Sequence, residues 1–291
     1  MSRSPFHPGE LEAQARAGGG APGGGIRDSM SGHHRAFFQS LPFVVVGCID
    51  GGWPEITILA GEPGFVAAPD ARTLRIGATL IADDAALREL APGTPVGILG
   101  IDLLTRRRNR ANGVVLSTSE SEVVVEVRQS FGNCPQYIHP RAIRTSPTHP
   151  RPTERLQSLD RSAISAIASA DTFFVASATL LVDAAGGVDV SHRGGPPGFV
   201  HVDGETLTIP DYSGNRYFNT LGNLVANPRA ALLFVDFERG DLLLLRGTTE
   251  IVWDGDEVGR FADAERLWRL RVVEAWRRRG ALPLHWTLPD P

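Results

Sequence analysis

Residues 198–254 read GFVHVDGETLTIPDYSGNRYFNTLGNLVANPRAALLFVDFERGDLLLLRGTTEIVWD, and the alternation within them decides the fold. Phe199, Val200 and Val202 run into Asp203-Gly204-Glu205, a hairpin turn of the Asp-Gly type, and Leu207 and Ile209 continue the partner strand. Pro210 is expected to stop that strand ahead of a polar loop, Asp211-Tyr212-Ser213-Gly214-Asn215-Arg216. Phe218, Leu221 and Leu224 then fall at helical spacing, and Asn227-Pro228 closes the turn. Residues 231–237 and 242–246 are apolar runs around a second hairpin, Glu238-Arg239-Gly240-Asp241. A sheet that delivers a Ser/Gly/Asn/Arg loop onto a helix start outlines an anion site, because backbone N–H groups there are unpaired.

Composition narrows the classes around that stretch. With 42% apolar and 21% charged residues, 291 residues suffice for two domains or one large β domain. No apolar run approaches the roughly 20 residues needed to span a bilayer, and the start lacks the pattern of a signal peptide. A cytoplasmic location is expected. Cys48 and Cys134 cannot form a disulfide framework. The net charge of −4 argues against nucleic acid as a partner. All 29 basic residues are arginine, so a lysine Schiff base and a P-loop lysine are both excluded. No His/Cys/Asp/Glu set has metal spacing, no nucleophile elbow is present, and Gly18 to Gly25 follows no strand, so it is not a dinucleotide fingerprint.

Upstream, residues 1–25 end in GGGAPGGG and are expected to be a flexible segment, with His7 and Glu10 in a solvated tail. Met30, Phe37, Phe38 and Leu41 predict a short helix with His33 and His34 on its surface. Short strands follow at 43–49, 56–60, 65–67, 74–76, 95–104 and 114–127, the spacing of a barrel or sandwich. Cys48 is expected in the core. Leu156, Leu159, Ala163, Ile164 and Ile167 predict a helix capped by Thr153. Phe261, Ala264, Trp268, Val272 and Ala275 predict another, ending in Arg277-Arg278-Arg279 and Gly280.

An internal repeat ties these elements together. Gly64-Phe65-Val66 matches Gly198-Phe199-Val200, Asp102 matches Asp236 and Gly113 matches Gly247, all at an offset of 134. Thr73-Leu74 matches Thr206-Leu207 at 133, and Phe43-Val44-Val45 matches Phe173-Phe174-Val175 at 130. A constant offset through separate strands means two copies of one unit.

Five further blocks carry a resemblance: Phe6-His7-Pro8-Gly9-Glu10, Leu41-Pro42-Phe43, TRRRNRANG at 105–113, QSFGNCPQYI at 129–138 and FNTLGNLVANPR at 218–229. With the opening stretch, they resemble the flavin-binding split-barrel family that includes pyridoxamine 5′-phosphate oxidase, in its long two-barrel subgroup. The resemblance implies a mainly β fold, two six-stranded antiparallel split barrels in one chain with peripheral helices. They form a pseudo-dimer that binds FMN at the interface. The expected parts are a flexible segment at 1–25, a degenerate first barrel at 26–150, an FMN-binding second barrel at 151–254, and a C-terminal helix and tail at 255–291. A deazaflavin or haem stays open within the same scaffold.

The copies differ where the ligand would sit. After matching strands, the second has DYSGNRYFNTLGN and the first GATLIADDAALRE, whose Asp83, Asp84 and Glu89 would repel a phosphate. The resemblance therefore places one FMN on the second copy. Asp211, Ser213, Asn215, Arg216, Asn219 and Thr220 are the candidates for holding it, with helix capping the alternative for the polar side chains. It also puts Arg193 by the pyrimidine edge of the ring, and Gln129 and Ser130 beside the ring. His192 is a candidate proton donor. If 105–113 is strand, Arg106, Arg108 and Arg110 share one face. Arg108 and Arg110 then reach the FMN phosphate from across the interface, or an acidic substrate, unless the run is a solvated edge strand. Catalytic residues are not assigned. The expected activity is that of an FMN-dependent oxidoreductase acting on a small substrate or a nicotinamide donor, with a separate reductase an open partner. The alternative is a flavin-binding sensor or electron-transfer module without turnover. The chain is expected as a monomeric pseudo-dimer or a homodimer.

Overall fold

The computed structural model of the chain describes residues 4–77, 84, 86, 90–145, 149–179 and 187–287. Two helices, α1 (Pro8–Arg16) and α2 (Gly32–Gln39), precede an antiparallel sheet of β1 (Phe43–Asp50), β2 (Trp53–Ala60), β3 (Val66–Ala67), β4 (Thr73–Ile76), β5 (Pro95–Asp102), β6 (Arg107–Ser119) and β7 (Glu122–Gly132). Its strand order is β2-β1-β5-β6-β7-β4-β3. After β8 (Ala142–Thr145), β9 (Glu154–Leu156) and α3 (Arg161–Ser169) comes a second sheet of β10 (Thr172–Ala178), β11 (Val188–Gly194), β12 (His201–Asp203), β13 (Thr206–Tyr212), β14 (Arg229–Asp236), β15 (Asp241–Val252) and β16 (Ala264–Arg278). Helix α4 (Asn219–Ala226) links β13 to β14, and β17 (Leu284–Thr287) pairs with β8.

The second sheet runs β11-β10-β14-β15-β16-β13-β12, with β9 added on β16. Replacing β1–β7 in turn by β10–β16 converts the first order into the second. Register repeats as well: Pro95 faces Val114 in one copy, and Arg229 faces Thr248 in the other. Both copies shift register at the same point, between Asn112 and Gly113 and between Arg246 and Gly247. A Cβ on Gly113 would land on the carbonyl of Glu126, and one on Gly247 on that of Arg271, so each bulge requires its glycine. Three strand pairs depart from the repeat at 134: β4 and β13, β7 and β16, where Val127 opposite Gly113 answers to Val272 opposite Gly247, and β1 and β10. Val45 faces Leu99 and Phe174 faces Leu233, which makes Val45 the counterpart of Phe174.

The fold is thus mainly β, a pseudo-dimer in one chain, with seven strands on each path among the described residues. Each sheet covers its own apolar core, around Phe38, Leu74 and Val125 in one copy and around Phe173, Leu207 and Trp268 in the other. A third core joins them: Phe43, Val45, Leu99 and Ile101 pack with Phe174, Ala231, Leu233 and Trp286. Copy-to-copy contact is therefore apolar at its centre and polar at the rim.

Several expectations change. The segment 264–278, expected to be helical, is β16, held between β15 and β13. Residues expected to be a flexible tail form α1, with His7 and Glu10 each 2% exposed. The connecting helix is capped by Asp160, not Thr153, and Leu156 lies in β9. Pro210 stays in β13 opposite Leu267; pairing with β12 ends at Thr208, so one side of the proline faces no strand. Arg106 precedes β6 in a turn with φ 54°, leaving Arg108 and Arg110 to share the strand face. His34 is half-buried and bonded to Ser130. Cys48 is fully buried. Asp83 and Glu89 lie outside the described residues, and Asp84 is buried against Arg278.

Candidate functional site

β6 of the first copy presents Arg108, Arg110 and Asn112 at alternate positions, hence on one face. That face meets β11 of the second copy. Arg108 Nη1 donates to His192 Nδ1 (2.9 Å), Arg110 Nη2 to Ser191 Oγ (2.5 Å) and Asn112 Nδ2 to Asp189 Oδ1 (2.7 Å). Beyond β11 lies the loop from Ser213 to Phe218, in which Arg216 and Phe218 both have left-handed backbones, at φ 56° and 59°. Each such non-glycine residue costs about 1–3 kcal/mol and persists where surroundings over-determine it. The turn at Phe218 starts α4 with no side-chain cap, so the first N–H groups of the helix donate to no capping side chain. Thr220 Oγ1 sits 2.7 Å from Ser191 Oγ, and Asn219 Oδ1 accepts from Arg110 (2.9 Å).

The first copy closes the opposite wall. Asn215 Nδ2 donates to Asn133 Oδ1 (2.8 Å), and the hydroxyl of Tyr137 donates to the carbonyl of Ser213 (3.0 Å). Tyr137 stacks on Tyr212 at 5.4 Å. The resulting seam cavity encloses about 110 Å³, room for a few water-sized groups. A whole nucleotide would extend from it along the open cleft. A larger cavity of about 1480 Å³ lies between α3, β8, β17 and the β14–β15 hairpin. Its Arg141 and Arg277 are already paired with carboxylates. The chemistry concentrates in the smaller one.

There the charges are unevenly satisfied. Asp211 lies between two arginines, taking Arg193 on one oxygen (2.7 Å) and Arg266 on the other (2.6 Å). Arg108 has a histidine for a partner instead of a carboxylate. Burial, then the nearby Arg110 and Arg193, push its guanidinium down to about 9. Burial and Arg108 likewise hold His192 well below the usual histidine value, so the ring is neutral. Since Nδ1 accepts from Arg108, the proton is assigned to Nε2. Five buried atoms on or beside this lining lack a partner: Arg108 Nε, Arg110 Nε, Arg193 Nε, His192 Nε2 and Asn133 Nδ2. All five are donors. A group of unmatched donors around an uncapped helix start fits an acceptor-rich anion such as a phosphate.

The structure brings most of the sequence candidates here: Arg108, Arg110, Arg193, Asp211, Ser213, Asn215, Arg216, Asn219 and Thr220 all line the cavity. Several of them are already committed within the protein. Arg216 donates to the carbonyls of Ala17 and Gly19, Arg110 is enclosed by Asn219, Ser191 and Asp189, and Asp211 holds two arginines. Gln129 and Ser130 are not among the lining residues: Gln129 donates to the carbonyl of Pro5 and Ser130 bonds His34. Sequence reasoning did not mark Asn133, Tyr137, Ser191 or Arg266. Register would have found Ser191, as the residue one place before His192 on the strand that faces β6.

The repeat also supplies an internal control. At an offset of 134, Arg108 and Arg110 answer to Leu242 and Leu244, and His192 and Arg193 to Ile58 and Leu59. Where Asn112 meets Asp189 in one seam, Arg246 meets Glu55 at 2.5 Å in the other. The second seam is thus apolar or ion-paired at the positions where the first is cationic.

Residues 162–280 match the family model described as pyridoxamine 5′-phosphate oxidase. Over that segment, less than half of the chain, it resembles the pyridoxamine 5′-phosphate oxidase family. Similar solved structures include a putative pyridoxamine 5′-phosphate oxidase from Lactobacillus delbrueckii, 16% identical, covering 42% of this chain and 97% of that chain at TM-score 0.34. Another of that description, from Corynebacterium glutamicum, is 19% identical and covers 45% and 100% at 0.32. An FAD-binding protein from Mesorhizobium loti is 13% identical and covers 43% and 96% at 0.32. No curated protein matches. The matched segment contributes His192, Arg193, Asp211 and Thr220 to the cavity, whereas Arg108, Arg110 and Tyr137 come from outside it. No group of described residues is arranged to hold a metal ion, and no helix among them is long and apolar enough to cross a membrane.

Proposed function

We propose that the chain is a flavoprotein that binds one FMN at the seam between β6 and β11 and acts as an oxidoreductase. The observation that carries this reading is the set of five buried, unpartnered donors around the uncapped start of α4. Arg108 and the first backbone N–H groups of α4 would hold the phosphate, with Thr220 beside them. Arg193, fixed by Asp211, favours an anionic ring system at its edge. The bound flavin would supply the electron-accepting centre, reduced by a nicotinamide donor, a small substrate or a separate reductase. Neutral His192 acts as a hydrogen-bond donor through Nε2 and not as a proton source. That same neutrality favours a second reading, a flavin module without turnover, because the one histidine lining the cavity exchanges no proton near pH 7.

The test is a titration of the purified protein with FMN, followed by anaerobic addition of NADH, NADPH or candidate substrates. One flavin per chain with bleaching on reduction supports the oxidoreductase. Stable yellow colour that no donor bleaches supports the module. Failure to take up FMN defeats both, and two flavins per chain defeats the single seam.

A further inference from the structure

The residues before the first sheet do more than lead into it. Helix α1 lies against α4 so closely that a Cβ on Gly9 would strike the carbonyl of Gly222, and a Cβ on Gly222 would strike the backbone of Glu10. Further along the arm, the carbonyls of Ala17 and Gly19 accept from Arg216, and Gln14 Nε2 donates to the carbonyl of Tyr217 (3.2 Å). The arm thereby clasps Arg216 and Tyr217, the part of the strained loop that leads into α4.

Six buried side chains then close a ring. His7 Nε2 lies 3.0 Å from Asn223 Oδ1, and Asn223 Nδ2 donates to Asp189 Oδ2 (3.1 Å). Asp189 Oδ1 is 3.5 Å from Arg110 Nη1, which donates to Asn219 Oδ1 (2.9 Å). Asn219 Nδ2 donates to Glu10, and the other oxygen of Glu10 accepts from the backbone N–H of His7 (2.9 Å). The arm supplies two members, the first copy one and the second copy three. We propose that Glu10 is a positioning residue for the seam anion site: it holds Asn219, and through it Arg110, so that an element outside both copies completes the site. This rests on the reading of the seam as an FMN phosphate site.

The ring's charge makes the proposal measurable. It contains one guanidinium and two carboxyls, so Arg110 balances only one of them. Burial, then the charge of Asp189, raise Glu10 to about 8, against the opposing pull of the His7 N–H, Asn219 and Arg110. His7 Nε2 lies 3.7 Å from the same carboxyl. Below pH 8 Glu10 is therefore the neutral acid, and above it a negative charge appears behind the anion site and weakens binding. Arg108, falling near 9, adds a later loss of its own.

The experiment measures FMN affinity from pH 7 to 9.5, where the phosphate is already a dianion. In the wild-type protein the affinity should fall about tenfold through pH 8 before the later decline. Glu10→Gln should remove the earlier step and keep the later one. In the unmutated protein, carbon NMR should show the Glu10 carboxyl titrating near 8 and moving higher when FMN binds, as reciprocity requires. Superimposable profiles for wild type and Glu10→Gln, or a carboxyl midpoint that FMN does not move, overturn the proposal. An unmutated protein that takes up no FMN would instead refute the flavin reading beneath it.

Discussion

Arg108 is the side chain on which the chemistry of the seam turns, because it is a half-buried cation paired with a histidine and not with a carboxylate. Its counterpart in the repeat is Leu242, so Arg108→Leu installs a residue that the same register already accommodates. FMN affinity should drop about 10- to 100-fold, the loss of a charge-assisted hydrogen bond of about 1.5–3 kcal/mol. The thermal midpoint should not fall. A fluorescence titration and a melting curve check both, and unchanged affinity would remove Arg108 from the site. A second pair of residues tests the duplication itself. Gly113→Ala and Gly247→Ala should each lose about 1–3 kcal/mol in urea unfolding, since the new methyl meets a carbonyl. Gly259→Ala, with nothing nearby, should stay within about 0.5 kcal/mol. Arg108 and Arg110 were legible because alternate arginines on one strand face ask for an anion or a carboxylate opposite, although Arg106 turned out to precede the strand. Glu10 was not, because a short stretch before a glycine-rich run looks solvated until α4 is seen to bury it.

At the level of elements, β16 shows how a strand can imitate a helix. Trp268, Leu270 and Val272 alternate inward, but Val273 is an extra residue at the bulge and is 50% exposed. The next buried apolar residue, Ala275, therefore follows Val272 by three places, a step that belongs to helical periodicity. Local pattern alone could not separate the two, and the pairing with β13 and β15 decides it. Hydrogen exchange should place the amides of the stretch around Leu270 in the slowest class, with α1 exchanging earlier. Trp268→Ala should cost about 3–5 kcal/mol by chemical unfolding, whereas a residue on an isolated surface helix would cost far less. The hairpins at Asp203-Gly204 and Glu238–Asp241 were readable in advance, since turn chemistry is local.

On the scale of the whole molecule, the apolar centre of the seam makes the copies dependent on each other. Cutting the chain between Arg151 and Pro152 and co-expressing the pieces should give a 1:1 complex that elutes like the intact chain. Either piece alone should aggregate, because Phe43, Val45 and Leu99 on one side and Phe174 and Leu233 on the other would face water. Two soluble separate monomers would contradict this. The repeat was visible in the sequence wherever glycines and turns held their spacing. It slipped at β1 and β10, where the apolar residues are interchangeable and cannot fix a register by themselves, and at β16, which the longer connection after β15 displaces.

The leucines and isoleucine that take the places of Arg108, Arg110, His192 and Arg193 in the other half of the repeat leave the molecule with one doorway where a symmetric pair would have two. On the proposed flavin reading, electron donor and electron acceptor would share that one threshold, each leaving before the other arrives. Turnover through it should show a double-displacement pattern, with parallel lines in double-reciprocal plots of initial rate.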